Sequence, residues 1–385
     1  MKVLCLNPAV SARAYRQMRA LSDRGHDVSL LYVGYGRSMD MIRDDFWKRK
    51  SPIHDSTGRL SHYPRTLKAA TYRETIEKEI ARGDYDIIAA YSSPDNLARA
   101  ATRYSERPVV FDERDMVSAM DPDWLAKNYI PPYLVRFPPV RSVIGGLFVK
   151  KLWRIEREAS LNSSARVYVS GPMLDLARKR HGIPENNSLV FPNYALKEDI
   201  KPRLPKISSE DGGVHVVYEG GLAETGYRSG SLEAFRGLAE KKVHVHIYGI
   251  ATEGTERMAR ELDRKNAFFH YHGALGIDSL QSELTRYDWG WIPFYPGKKK
   301  NEHLNTILPN KLFEYLAAGL PIISPDLKAL KDLIVSEKVG VVVSDLDDIV
   351  EKIGDWDGKV DPDRYVIENR IGELEELYRD AIRGG

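Results

Sequence analysis

The feature that most restricts the fold is an alternation. Short apolar runs with strand character recur: KVLCL (2–6), VSLLYV (28–33), DIIAAY (86–91), PVVFD (108–112), RVYVS (166–170) and SLVFP (188–192). Between them lie stretches with helical spacing, among them 11–24, closed by Gly25, and 66–82, closed by Gly83. Alternation of this kind builds parallel sheets through right-handed helical crossovers. The series breaks at ALKEDIKPRLPKISSEDGG (195–213), polar and rich in Pro and Lys, the composition of a linker. It resumes with VHVVYE (214–219), VHVHIYG (243–249), AFFHYHG (267–273), DWGWIPF (288–294), LPII (320–323) and VGVVV (339–343). A chain of 385 residues exceeds one ordinary core, so two doubly wound α/β domains are expected, facing a cleft. Their spans are 1–195 and 196–360, with a terminal helix in 361–385 packing back on the first.

Composition removes several classes. Hydrophobic residues are 42% and charged residues 29%, a globular balance. The formal net charge is +2, which gives no case for a nucleic-acid partner. Cys5 is the only cysteine and sits in the first apolar run, where it reads as a small core residue; a disulfide framework and a cysteine zinc site are both excluded. The opening MKVLCLNPAV breaks at Asn7-Pro8 and reads as a first strand rather than a leader, and no run reaches the length of a membrane span.

Three segments carry candidate chemistry. EGGLAETGYRSGS (219–231) follows a strand. Glycines there let backbone N–H groups approach an anion, and Arg228 suits a phosphate, although neither the P-loop nor the dinucleotide spacing is present. YPGKKKNEHLNTILPNK (295–311) is a basic loop leading into LPNKLFEYLAAGLPIISPD (308–326). Pro309 and Asn310 suit a helix start, and Gly319 and Pro321 its end, so Glu314 stands on a short helix anchored at both ends. Lys311 falls in the first turn, where a cation works against the helix dipole; an anion at the same end would resolve that conflict. Read without context, Glu314 is an exposed acid well placed near a helix start; functionally, an ionised carboxylate only accepts hydrogen bonds and suits a vicinal diol such as a ribose.

PNKLFEYLAAGLPII resembles the signature of glycosyltransferase family 4 and its relatives, retaining enzymes of the GT-B fold. Other segments follow in that family's order: AYRQMRALSDRGHDVSLL (14–31), YDIIAAYSSPDNLARAA (85–101), RPVVFDERDM (107–116), EREASLNSSARVYVSGPMLDLARKRHGIP (156–184), FPNYA (191–195), VVYEGGLAETGYRSGSLEAF (216–235), HIYG (246–249), YHGAL (271–275) and LTRYDWGWIPF (284–294). The resemblance spans almost the whole chain. It implies two Rossmann-like domains, the first on the acceptor side and the second binding a nucleotide sugar. Glu314 would hold the donor ribose, Gly220, Gly221, Arg228 and Lys311 would meet the diphosphate, and Asn305, Thr306 and Asn310 would border sugar and phosphate. Fixed cations and N–H groups can stabilise a diphosphate leaving group, so no cofactor and no metal is expected. The partners implied are the nucleotide-sugar donor and a glycan, lipid-linked or other hydroxyl acceptor.

The chain also departs from the pattern. Ile307 stands seven residues before Glu314, where family members often carry a second glutamate, and Ala89, Tyr91 and Ser92 occupy a segment that often carries a histidine. The turn NPAVSARA (7–14) lacks the usual glycines. Tyr91, Asp112 and Arg114 are the candidate catalytic residues, with Glu113 and Asp115 beside them; a cluster of loop salt bridges is the plainer account of 112–115. These departures motivate a second reading, a non-catalytic nucleotide-sugar-binding subunit. A third is another GT-B enzyme, such as a nucleotide-sugar epimerase. His244 with His246, and His270 with His272, share strand faces, either near a ligand or at the surface; no acidic pattern nearby supports a metal. Finally, 130–158 mixes large apolar residues with Arg136, Arg141, Lys150, Lys151, Arg154 and Arg157. Its second half, 146–158, reads as a helix packed on the core, and peripheral membrane contact is the alternative. The expected location is the cytoplasm, on the inner membrane face if this segment meets lipid.

Overall fold

The computed structural model describes residues 1–7, 10–32, 39–52, 73–91, 96–130, 132–134, 136–222, 231–293 and 302–384. The chain gathers into two compact units. One comprises Met1–Pro192, Asn301–Ile307 and Arg370–Gly385; the other Asn193–Lys300 and Leu308–Asn369.

The first unit holds a parallel sheet of β1 (Lys2–Asn7), β2 (Asp27–Tyr32), β3 (Arg49–Pro52), β4 (Ile87–Tyr91), β5 (Val109–Glu113), β6 (Ala165–Tyr168) and β7 (Ser188–Val190), in the order β3-β2-β1-β4-β5-β6-β7. The central strands β4 and β5 are buried throughout, as continuous apolar runs in a sheet covered on both faces must be. β3 escapes the sequence pattern because RKSP has no apolar alternation; it pairs only at the sheet edge and stays largely exposed. Only Arg73–Arg82 of the expected helix 66–82 falls within the described residues.

The second unit holds β8 (His215–Glu219), β9 (His244–Tyr248), β10 (Phe269–Gly273), β11 (Trp289–Trp291), β12 (Ile322–Pro325) and β13 (Gly340–Val343), parallel in the order β10-β9-β8-β11-β12-β13. Val216, Tyr218, Val245, Ile247, Phe235 and Trp291 build its core on one sheet face. The strand order reverses between β8 and β11, and ligands of open α/β sheets bind beyond the carboxyl ends of the strands at such a point.

The segment 195–213 is no free tether. Ala195 N–H bonds the Tyr365 carbonyl at 3.1 Å, Ile367 N–H bonds the Ala195 carbonyl at 2.8 Å, and Leu204 N–H reaches Thr285 Oγ1 at 3.1 Å. Its composition correctly reports little regular structure, which is not the same as little contact. The terminal helix begins later than expected, at Ile371, after two 3₁₀ turns, and runs to Arg383. Its Glu375 accepts from Arg24 Nε at 2.6 Å and faces His26 Nε2 at 3.1 Å, which ties it to the first unit.

The helix Pro138–Asn162 divides into two. Leu152, Ile155, Glu156, Ala159 and Ser160 are buried, the core packing expected of its second half. Ahead of them Phe137, Val143 and Leu147 are 64–66% exposed, and Tyr133 is 77% exposed. Among the described residues no helix is long and apolar enough to cross a membrane.

Candidate functional site

The helix Asn310–Ala317 starts at Pro309 and closes with Gly319 at φ +75°, where Leu320 N–H bonds the Tyr315 carbonyl at 2.9 Å. Leu312, Phe313, Tyr315 and Leu316 are buried; Glu314 alone in that run is half-buried. Apolar packing on both flanks therefore fixes the height and direction of one carboxylate. Lys311, three residues earlier, shares its helix face.

Lys311 resolves its conflict with the helix dipole in a way the sequence does not reveal. It is only 8% exposed, and its Nζ donates to the carbonyl oxygen of Glu219 at the end of β8. The ammonium stands 3.9 Å from the centre of the Tyr218 ring, a cation–π contact. Tyr315 completes the junction, its hydroxyl oxygen accepting the Glu219 N–H at 2.8 Å. Burial first, then the Glu219 carboxylate, pushes the Tyr315 phenol well up, so it stays protonated.

Gly220 is required here for space and conformation. It has φ +136°, and a Cβ would lie 2.7 Å from Lys311 Nζ. Gly249 faces it from β9's end with φ +154°, where a Cβ would lie 1.9 Å from the Gly220 carbonyl oxygen. The Gly220 N–H bonds the Tyr248 carbonyl at 2.8 Å, so Gly220 offers a ligand clearance rather than a donor. The Gly221 carbonyl accepts from the Tyr218 hydroxyl at 3.1 Å.

The structure thus gathers Gly220, Gly221 and Lys311 at the carboxyl end of β8, with Asn310 and Glu314 on the same short helix. Arg228 lies outside the described residues. Asn305 and Thr306 belong to the first unit; Thr306 is 3% exposed, its hydroxyl donating to the His303 carbonyl at 2.7 Å and its own carbonyl accepting from Ser170 Oγ at 2.6 Å. Tyr218 and Tyr315 are the members sequence reasoning missed. The only available hint was that Tyr315 stands four residues after Lys311.

The candidates of the first unit are occupied internally. Asp112 is 2% exposed and accepts from Arg13 Nε at 2.7 Å and Gln17 Nε2 at 3.3 Å. Tyr91 donates to Gln17 Oε1, and burial first, then the neighbouring Tyr378, pushes its phenol far up. Arg114 pairs with Asp115 at 3.1 Å, and Asp115 faces His303 Nε2 at 3.4 Å, the salt-bridge cluster that was the plainer expectation.

The histidines form two hydrogen-bonded rows across β8, β9 and β10. In one, Asp211 meets His215 Nε2 at 3.1 Å, His215 Nδ1 meets His246 Nε2 at 2.9 Å, and His246 Nδ1 meets His272 Nε2 at 3.0 Å. In the other, His244 Nδ1 meets His270 Nε2 at 3.0 Å, with His244 Nε2 3.8 Å from Asp211. The neutral Nε2–H tautomer throughout satisfies every contact. The rows stack, with His215 and His244 centroids 4.3 Å apart at 9°. His215 and His246 are buried within the rows, His244 and His270 are half-buried, and His272 at the end is exposed. Their acidic partner Asp211 stands only four residues before His215; what the sequence hides is the register that brings His244 and His246 beside His215.

Comparison with known proteins bears on this architecture. The model of the family described as Glycosyltransferase Family 4 matches residues 10–194. A second, described as Glucosyltransferase 3-like, C-terminal domain, matches 227–361 and so contains Lys311 and Glu314. The protein is a family 4-like glycosyltransferase with the GT-B fold. A glycosyltransferase from Rickettsia africae ESF-5 superposes with TM-score 0.65 at 13% identity, covering 100% of this chain and 99% of that one. Sucrose-phosphate synthase from Thermosynechococcus elongatus gives 0.64 at 12%, with 100% of both covered. UDP-GlcNAc 2-epimerase from Methanocaldococcus jannaschii gives 0.56 at 11%, covering 98% and 99%. At these identities the likeness is one of fold. No curated protein sequence matches the glycosyltransferase.

Proposed function

We propose that this glycosyltransferase moves a hexosyl group, with retention of anomeric configuration, from a nucleoside-diphosphate donor to a hydroxyl of a glycan or lipid-linked acceptor. The observation that carries the donor half is the junction of Lys311 with β8: a cation held at the carboxyl end of a switch-point strand, beside a glycine that clears the approach, one helical turn from a half-buried carboxylate. Glu314 takes the ribose diol. Lys311 meets the diphosphate beside Gly220 and Gly221, Arg228 is assigned to it from the sequence, and Asn310 borders the sugar. As the glycosidic bond breaks, negative charge collects on the departing diphosphate, and a fixed ammonium stabilises that charge without reorganising. The reaction needs no metal in this scheme.

A lipid-linked acceptor agrees with the exposed apolar side chains Tyr133, Phe137, Val143 and Leu147, which stand among the exposed bases Arg136, Lys150 and Lys151. That surface suits a peripheral position on an anionic membrane face of the cytoplasm.

A second reading, a non-catalytic nucleotide-sugar-binding subunit, is favoured by Ile307 and by Tyr91, whose hydroxyl is spent on Gln17. The deciding experiment incubates the protein with nucleotide sugars, with and without glycan and lipid-linked acceptors, and follows products by NMR. Transfer with the donor's anomeric configuration supports the proposal. Inversion refutes the stereochemistry, a changed free nucleotide sugar identifies an epimerase, and binding without turnover selects the subunit.

A further inference from the structure

The first unit encloses a polar cluster that the donor site does not use. Glu113 ends β5, Glu156 lies on the helix Pro138–Asn162, and His181 ends the helix Gly171–His181. Their exposures are 0%, 1% and 1%. One ligand-capable atom from each lies within 4.8 Å of the others, and His181 Nε2 is 3.8 Å from Glu156 Oε2.

The cluster is poorly satisfied by the protein itself. Glu156 Oε1 accepts the Ser118 N–H at 2.9 Å, which orients the carboxyl and leaves Oε2 with no hydrogen bond. Neither Glu113 oxygen completes one, although the Ser160 and Tyr168 hydroxyls are its polar neighbours. Both ring nitrogens of His181 are likewise without a partner. Arg180 is the nearby cation; its two terminal nitrogens are taken by Glu302 at 3.2 Å and the Ser118 carbonyl at 3.0 Å, and its Nε has no hydrogen bond. Five orphaned atoms on three enclosed side chains are costly in a dry interior, and burial raises both carboxyls because their charge has no adequate partner there.

We propose that Glu113, Glu156 and His181 hold a divalent first-row transition cation, zinc in the first instance, that pins β5 to the two helices. Two carboxylates and one imidazole neutralise a dication and suit zinc better than calcium, which takes six or more oxygens. Metal–ligand bonds near 2.1 Å set ligand atoms about 3.4 Å apart in a tetrahedron, so the three side chains need close by only part of a rotamer. The Ser118 N–H supplies the outer contact that orients Glu156. The ion is enclosed and structural, and it is independent of the donor site.

The test uses the full chain, stripped with a chelator and then given Zn²⁺ alone. Elemental analysis after gel filtration should find on the order of one zinc per chain, a simple one-ion site. Thermal unfolding should shift upward with zinc, and Co²⁺ in its place should give the strong visible bands of a four-coordinate site. Glu113→Gln and His181→Gln should each lose the retained ion, while His246→Gln, in the histidine rows, should keep it. A wild-type protein that retains no zinc and shows no shift overturns the proposal, whatever the variants do. So does retention that survives Glu113→Gln or disappears in His246→Gln, which places the ion elsewhere.

Discussion

β5 and β8 are close counterparts: each has five residues, each is buried along its length, and each ends on a glutamate. Their surroundings differ. At the end of β5, Asp112 meets Arg13 and Gln17, and Arg114 meets Asp115, while Glu113 turns into the enclosed cluster with Glu156 and His181. Beyond β8 two glycines remove side chains, and Lys311 is brought in over Tyr218 from a helix 92 residues away. An acid at a strand end is therefore not a site by itself. What makes one is clearance together with a charge held in place.

The largest test of that contrast is Arg13→Ala. Arg13 and Asp112 are 1% and 2% exposed in their side chains, so removing the arginine leaves a buried carboxylate with only Gln17. Stability in urea should fall by about 3–5 kcal/mol, with nucleotide affinity unchanged in the folded fraction. A loss of affinity without a loss of stability would place Arg13 and Asp112 in the site and collapse the comparison.

Acid should expose a weakness on β8's side of the comparison. Burial first, then neighbouring His270 and His272, lowers His246 to about 2, and His270 is lowered to about 4. Asp263 and Glu283 face the row from adjacent helices, and the Tyr287 ring lies tilted against His246, 4.7 Å between centroids. Because the folded protein resists a proton that the unfolded chain accepts near its ordinary value, stability is full above that value and falls as pH drops below it. His246 alone should cost about 2 kcal/mol between about pH 7 and pH 5. Urea unfolding at the two pH values checks this, and His246→Gln should shrink the difference.

Gly220→Ala is the smallest effect expected. The positive φ and the contact with Lys311 should cost about 1–2 kcal/mol of stability, and displacing the ammonium should weaken nucleotide binding. Equal affinity in the variant would mean that the clearance beyond β8 is incidental.

Strands and helix ends were legible because they are local. VVFD and HVVYE are apolar enough to name their own burial, and Gly319 marks the helix stop within one turn. β3 was not, since an exposed edge strand needs no apolar pattern. Within the candidate site, Lys311 and Glu314 were visible as residues, but their setting was not. The Lys311–Glu219 and Tyr315–Glu219 contacts span 92 and 96 residues, and only the folded register creates them. Asp211 differs, since it is four residues from His215, and only its approach to His244 depends on the pairing of β8 with β9.

The central claim is that β8's end, and not β5's, holds a nucleotide. Calorimetric titration of the wild type and Glu314→Ala with uridine, guanosine, adenosine and thymidine diphosphates and their sugars tests it directly. The account predicts that one nucleotide binds the wild type and that the variant loses about 1.5–3 kcal/mol, with its unfolding midpoint unchanged. Binding of none of them, or equal binding to both proteins, would contradict it.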